Sequence, residues 1–207
     1  MKKQEMKRGK TMLITILVVI VSLSIIAWGI IAYLGRSQTL SVLSIEKLEG
    51  DLSLIHLAKP NNMQWKAGAH AKISLPKSID NPQTASELVT GASKSQAKDG
   101  ESSRWLTIAS NANEDEILIL THNSGSPYKK SLTNLPAGSK VELSWLDSSL
   151  STPDSNKAFV CFASDVGIAA IRPIIKEELG KRELVLSHLS KGVMVFNNEL
   201  EDSAKNH

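Results

Sequence analysis

"RWLTIAS", residues 104–110, is the stretch on which the reading of this chain turns. It follows "KSIDNPQTASELVTGASKSQAKDGESS", residues 77–103, which is rich in Ser, Lys and Ala and holds no aromatic residue. Such a composition buries too little apolar surface to order itself, so residues 77–103 read as a solvated insertion. The run that follows is different in kind. Trp105, Leu106, Thr107 and Ile108 are strand-forming residues, and they begin directly after an arginine. "ILILT" at 117–121 supplies a second strand, and "GSPYKKSLTNL" then offers a turn and a short helix near Tyr128 to Leu135. "KVELSWL", residues 140–146, reads as a further strand.

Upstream, residues 39–76 read "TLSVLSIEKLEGDLSLIHLAKPNNMQWKAGAHAKISLP". Apolar positions recur at Leu52, Leu54, Ile55 and Leu57. Gly50-Asp51, Pro60-Asn61-Asn62 and Ala67-Gly68 punctuate the run as turns. Six short antiparallel strands around one small helix predict a closed or sandwiched β unit over residues 39–147, a six-stranded β-barrel if closed.

Beyond the Ser/Asp/Pro-rich linker at 147–156 the pattern changes. "AFVCFAS" is a continuous apolar run, and "IAAIRPIIKEELG" spaces its apolar residues for a helix that stops at Gly180. "ELVLSHL" reads as another strand and "GVMVFNNELEDSAKNH" as another helix. Strand, helix, strand, helix over 157–207 predicts an incomplete parallel α/β domain whose two strands bury little.

At the other end, residues 11–34 carry no charge over 24 positions, which at ~1.5 Å per residue predicts a transmembrane helix across a core of roughly 30 Å. The run is longer than the apolar part of a signal peptide, so an uncleaved anchor is expected. The basic tail, Lys2, Lys3, Lys7, Arg8 and Lys10 in residues 1–10, places the N-terminus in the cytoplasm. The expectation is a single-pass protein of the cell membrane with its domain extracytoplasmic. Without that tail the chain holds 19 basic and 20 acidic residues, so a nucleic-acid partner has no electrostatic support.

Cys161 is the sole cysteine and excludes an intrachain disulfide; its apolar surroundings predict a buried, unreactive thiol. His56, His70, His122, His188 and His207 have no zinc-site spacing, so no metal is expected. No Gly-x-Ser-x-Gly elbow or Walker-type loop is present, and no catalytic acid, base or nucleophile stands out. Glu177 and Glu178 read as a solvated helix face.

Four blocks, in order, carry a resemblance. Residues 65–70, "WKAGAH", resemble the Trp-x-Pro-Gly-Gln-His segment of ferredoxin reductase-type FAD-binding domains, and "RWLT" is similar to their Arg-x-Tyr/Phe-Ser/Thr flavin motif. "ILILTHNSGSPYKKSLTNLPAGSKVELSW" is similar to the next block, a strand, pyrophosphate loop, helix and turn into the last barrel strand. "AFVCFASDVGIAAIRPII" sits where the family has its glycine-rich nucleotide turn. The ferric reductase and NAD(P)H oxidase branch is the nearest in character.

The resemblance implies FAD as cofactor, with Arg104 on a flavin phosphate, where a guanidinium fork suits the oxygens. It implies Leu106 at the position of the ring-stacking aromatic and Thr107 at the flavin ring edge. Ser126 and Lys129 would flank the pyrophosphate at the helix start. Trp105 is expected on the opposite face of the strand from Leu106. His70 and His122 lie near a flavin by family position, with a structural or surface role as the simpler reading.

Ser164 and Asp165 replace the first two glycines of the nucleotide turn, Ala170 replaces its proline, and Gly167 remains. A carboxylate repels the anion that such a turn binds, which argues against direct NAD(P)H oxidation by this polypeptide. Two functions therefore follow. One is a membrane-anchored flavoprotein oxidoreductase that passes electrons through FAD, fed by a redox partner protein or a membrane electron donor. The other is a non-enzymatic interaction or structural module of the same fold. A truncated relative of a longer reductase is a third reading.

Overall fold

The computed structural model describes residues 15–30, 37–76, 102–150, 152 and 156–206. The chain divides into two compact units, residues 1–36 and 37–207.

In the first unit, residues 15–30 form helix α1, in which Ser22 and Ser24 donate to the carbonyls of Val18 and Ile20 at 2.8 and 2.9 Å. This corrects the transmembrane expectation. The sixteen described helical residues rise about 24 Å. Among the described residues no helix is long and apolar enough to cross a membrane. The expected single-pass location, with its extracytoplasmic domain, loses its support with it. The basic tail at 1–10, the ends of the predicted span at 11–14 and 31–34, most of the 77–103 insertion and linker residues 153–155 lie outside the described residues.

The second unit contains a six-stranded antiparallel sheet. Its strands are β1 (Gln38–Lys47), β2 (Leu52–Ala58), β3 (His70–Ser74), β4 (Ser103–Thr107), β5 (Glu116–His122) and β6 (Lys140–Asp147), in the order β4-β3-β6-β1-β2-β5. The expected barrel needs a second correction, because the sheet is not closed. Its outer strands β4 and β5 are joined only by an isolated bridge between Ile108 and Ile119, with Ala109 N donating to Leu118 O at 2.7 Å. Just past Thr107, Ile108 N donates to Ala69 O at 2.8 Å, one step beyond the His70–Thr107 pair, so the same residue extends the β3–β4 pairing and touches β5. The curled sheet encloses Leu40, Val42, Ile55, Leu57, Ile73, Ile117 and Val141, and helix α2 (Pro127–Leu132) covers this core with Tyr128 and Leu132.

The rest is a βαβ unit. Strands β7 (Phe159–Ser164) and β8 (Leu184–Leu189) are parallel, and a 3-10 turn at Asp165–Gly167 leads into helix α3 (Ile168–Glu178) between them. Helix α4 spans Asn197–Lys205, shorter than the predicted run because Phe196 takes a left-handed conformation (φ 65°) and stops the helix from extending backward. Helix α3 ends before Gly180 (φ 76°), whose missing Cβ admits that backbone.

The two layers share a second core. Leu52, Leu54 and Leu120 from β2 and β5 pack with Ala163, Ile168, Ala169 and Val195. This explains why the apolar residues of β2 do not alternate cleanly. Ile55 and Leu57 fill the sheet interior while Leu52 and Leu54 meet the βαβ unit, so both faces of the strand are covered. Only one face of the β7–β8 pair is covered: Cys161 and Ala163 are buried, while Phe162 remains 77% exposed.

Candidate functional site

Strand β4 brings the predicted residues to the edge of the sheet. Its register sets Arg104 opposite Ile73, Trp105 opposite Lys72, Leu106 opposite Ala71 and Thr107 opposite His70. Arg104 is exposed, with its Nη1 donating to Ser103 O at 2.8 Å and its Cζ 5.5 Å from the centre of the Tyr128 ring. Leu106 is 7% exposed and its side chain belongs to the sheet core. Trp105 is 51% exposed and meets the His70 ring edge-on at 5.1 Å, and Thr107 is half-buried. His70 Nε2 lies 3.7 Å from Asp147 on β6.

Helix α2 stands beside this strand end. Ser126 caps it, accepting a hydrogen bond from Lys129 N at 3.3 Å, and Pro127 opens its first turn, where the lost N–H would be unpaired in any case. Tyr128 is buried and donates its hydroxyl to Ile73 O at 2.8 Å. Burial drives its pKa well above the ordinary phenol value, opposed in part by Arg104. Lys129 is half-buried and donates from Nζ to Thr121 Oγ1. Its pKa is lowered, first by burial and then by the charge of Arg104. The charge of Arg104 therefore reaches Lys129 across the boundary between β4 and α2.

The residues of the nucleotide turn lie elsewhere. Ser164 ends β7 and makes no cap to the 3-10 turn. Asp165 has φ 46°, and its Oδ1 accepts from Lys191 N at 3.1 Å, so the carboxylate ties this turn to the loop after β8. A Cβ at Gly167 would meet nothing within 4 Å.

The sequence reading missed one buried group. Arg172 on α3 is 4% exposed and pairs with Glu114 (Nη2 to Oε2, 2.8 Å) and Glu199 (Nε to Oε2, 2.7 Å). It also donates to Ala109 O at 2.7 Å and stacks on Phe196 with Cζ 4.8 Å from the ring centre. Lys176 completes the network. Burial alone would raise the pKa of Glu114 and Glu199; their hydrogen bonds to Arg172 and the adjacent charges outweigh it and hold both below the ordinary carboxylate value. The network joins the segment after β4 to the βαβ unit. The apolar spacing of "IAAIRPII" does mark the buried side of α3, but nothing in it reveals where the partners of Arg172 lie. Glu178, expected in solvent, is buried instead, where it accepts from Thr152 and Arg182. Cys161 is buried, and burial raises its thiol pKa.

Against known proteins, no family model matches the sequence, and no curated protein matches it. Solved structures do match. The cytochrome P450 reductase of Amycolatopsis aligns with a TM-score of 0.63 at 17% identity over 84% of this chain and 50% of its own. Phthalate dioxygenase reductase, described as modular for electron transfer from pyridine nucleotides to [2Fe-2S], gives 0.59 at 20% identity over 79% of this chain and 47% of its own. The ferredoxin NADP+ reductase of Neisseria gonorrhoeae, solved with FAD and NADP, gives 0.59 at 16% identity over 81% and 63%. The chain therefore has the fold of ferredoxin reductase-type FAD-binding domains over most of its length. It spans about half of the first two proteins.

Proposed function

We infer that this chain binds FAD at the β4–α2 edge and serves as the flavin domain of an electron-transfer reductase. The observation that carries this reading is the placement of Arg104 of β4 against Tyr128 of α2, Cζ 5.5 Å from the ring centre, on the helix that also carries Ser126 as its cap and Lys129. A guanidinium fork on the strand and an ammonium on the adjacent helix suit a polyanion such as a pyrophosphate. Arg104 would hold one phosphate and Lys129 the other, while the Thr107 hydroxyl and Ser126 offer polar contacts to the ring edge and the linker. FAD, when bound, supplies the redox chemistry; the protein supplies binding and orientation.

The fit is uneven, because Leu106 is packed in the core and gives the flavin ring no aromatic surface. Binding then rests on the phosphate end. Phthalate dioxygenase reductase is described as passing electrons from pyridine nucleotides, but here Asp165 holds its carboxylate in the turn, which supports a donor other than a nicotinamide bound by this polypeptide. A redox partner protein is the natural electron source or sink. The second reading, a non-enzymatic interaction module, is favoured by the same burial of Leu106. The full chain, incubated with FAD and desalted, separates the two by absorbance. Retained flavin bands support the flavoprotein; a folded, colourless protein supports the module.

A further inference from the structure

A cleft of about 850 Å³ opens between β8, α4 and the C-terminal end of α3. Its floor is apolar, made by Ile175, Leu179, Leu184, Leu186, Met194 and Leu200. None of Ser164, Asp165 and Gly167 lines it, so it is separate from the nucleotide turn, and it shares no residue with the β4–α2 edge. Its volume is that of a small-molecule site.

One polar side chain of the floor has no explanation within the fold. His188 lines the cleft from β8, opposite Ala163 in the parallel register and hence on the covered face of the strand pair. Both ring nitrogens are inaccessible to solvent and lack a hydrogen-bond partner among the described residues. A neutral imidazole always carries one donor and one acceptor, and leaving both unmet is unfavourable. The torsion that turns the ring is broad and roughly two-fold, and turning it exchanges ring carbons and nitrogens on the side that lines the cleft. The charged residues around the cleft are two cations, Lys181 and Arg182, and two anions, Glu183 and Glu201, which gives no net field to select a charged ligand.

We propose that this cleft binds an uncharged, largely hydrocarbon molecule bearing one hydroxyl, a phenol or an alcohol, with His188 as its hydrogen-bond partner. A hydroxyl is the smallest group that both donates and accepts, and it meets the imidazole in either tautomer. The apolar body covers the leucines and Met194.

Calorimetric titration of the full chain with 1-naphthol and with 1-methylnaphthalene tests this, since the two differ in little but the hydroxyl. The wild type should prefer 1-naphthol about tenfold, the equivalent of one net hydrogen bond. His188→Phe should bind both equally, and Ala204→Phe, which fills the cleft from α4, should bind neither. Failure to bind either probe, equal affinities in the wild type, a preference that survives His188→Phe, or unaltered binding in Ala204→Phe would each overturn the proposal. If His188→Phe does not fold, the wild-type preference and Ala204→Phe decide it.

Discussion

The Arg104 guanidinium lies 5.5 Å from the centre of the Tyr128 ring, and the Tyr128 hydroxyl donates at 2.8 Å to the carbonyl of Ile73, the residue paired with Arg104 across β3 and β4. One buried aromatic thus braces both the strand edge and the cation upon it. Tyr128→Phe keeps the ring face and removes the hydroxyl. It should cost about 1 kcal/mol in urea denaturation while leaving FAD affinity within about twofold, because the cation–π contact survives. A tenfold loss of affinity would show that the hydroxyl itself acts on the ligand.

Lys129 carries a pH signature. Burial and then Arg104 set its pKa below that of an ordinary lysine, so its charge is lost earlier as pH rises. FAD affinity should therefore decline before pH reaches about 10.4, the free-lysine value. Lys129→Arg should abolish that decline, and Lys129→Met should bind about tenfold more weakly at pH 7 with a flat profile, all read by flavin fluorescence.

Arg172 governs acid stability. Glu114 and Glu199 have pKa values depressed in the folded state, so their stabilisation is complete above the unfolded value of about 4.3 and is lost as pH falls through the lower folded values. Arg172→Met leaves two partly buried carboxylates without their partner and should lose about 3 kcal/mol at pH 7. It should also flatten the acid limb of the stability curve. A wild type as stable at pH 3 as at pH 7 would contradict this account.

Leu106→Tyr restores the aromatic that the family motif carries, but at a position packed among core residues. The larger ring should destabilise the chain by about 1–3 kcal/mol through overpacking. Thermal unfolding that is unchanged, with tighter FAD binding, would mean that the side chain at 106 turns outward with little resistance.

The antiparallel strands and the parallel βαβ unit were legible because their signals are local: alternation in "HAKIS" and "EILILTH", Pro127 opening a helix, Gly180 closing another. The closure of the sheet was not, since it depends on how far the chain after Thr107 pairs with β5, which in the fold amounts to a bridge at Ile108–Ile119 and is set by tertiary contacts. Hydropathy over residues 11–34 measures apolarity, while the described helical residues are 15–30. Arg104 and Lys129 are singled out by motif resemblance alone. Arg172 could not be found in the sequence, because its partners Glu114 and Glu199 are distant in sequence and meet only in the folded chain.

The central claim is that a flavin phosphate rests on Arg104. Its most direct test is the FAD dissociation constant of the full chain beside Arg104→Ala and Arg104→Lys, measured by quenching of flavin fluorescence with far-UV circular dichroism as the folding control. The account predicts a loss of about 10- to 100-fold in Arg104→Ala, as expected for one charge-assisted hydrogen-bonded contact, and a smaller loss in Arg104→Lys. Equal affinity in all three folded proteins, or no FAD binding by the wild type, would contradict it.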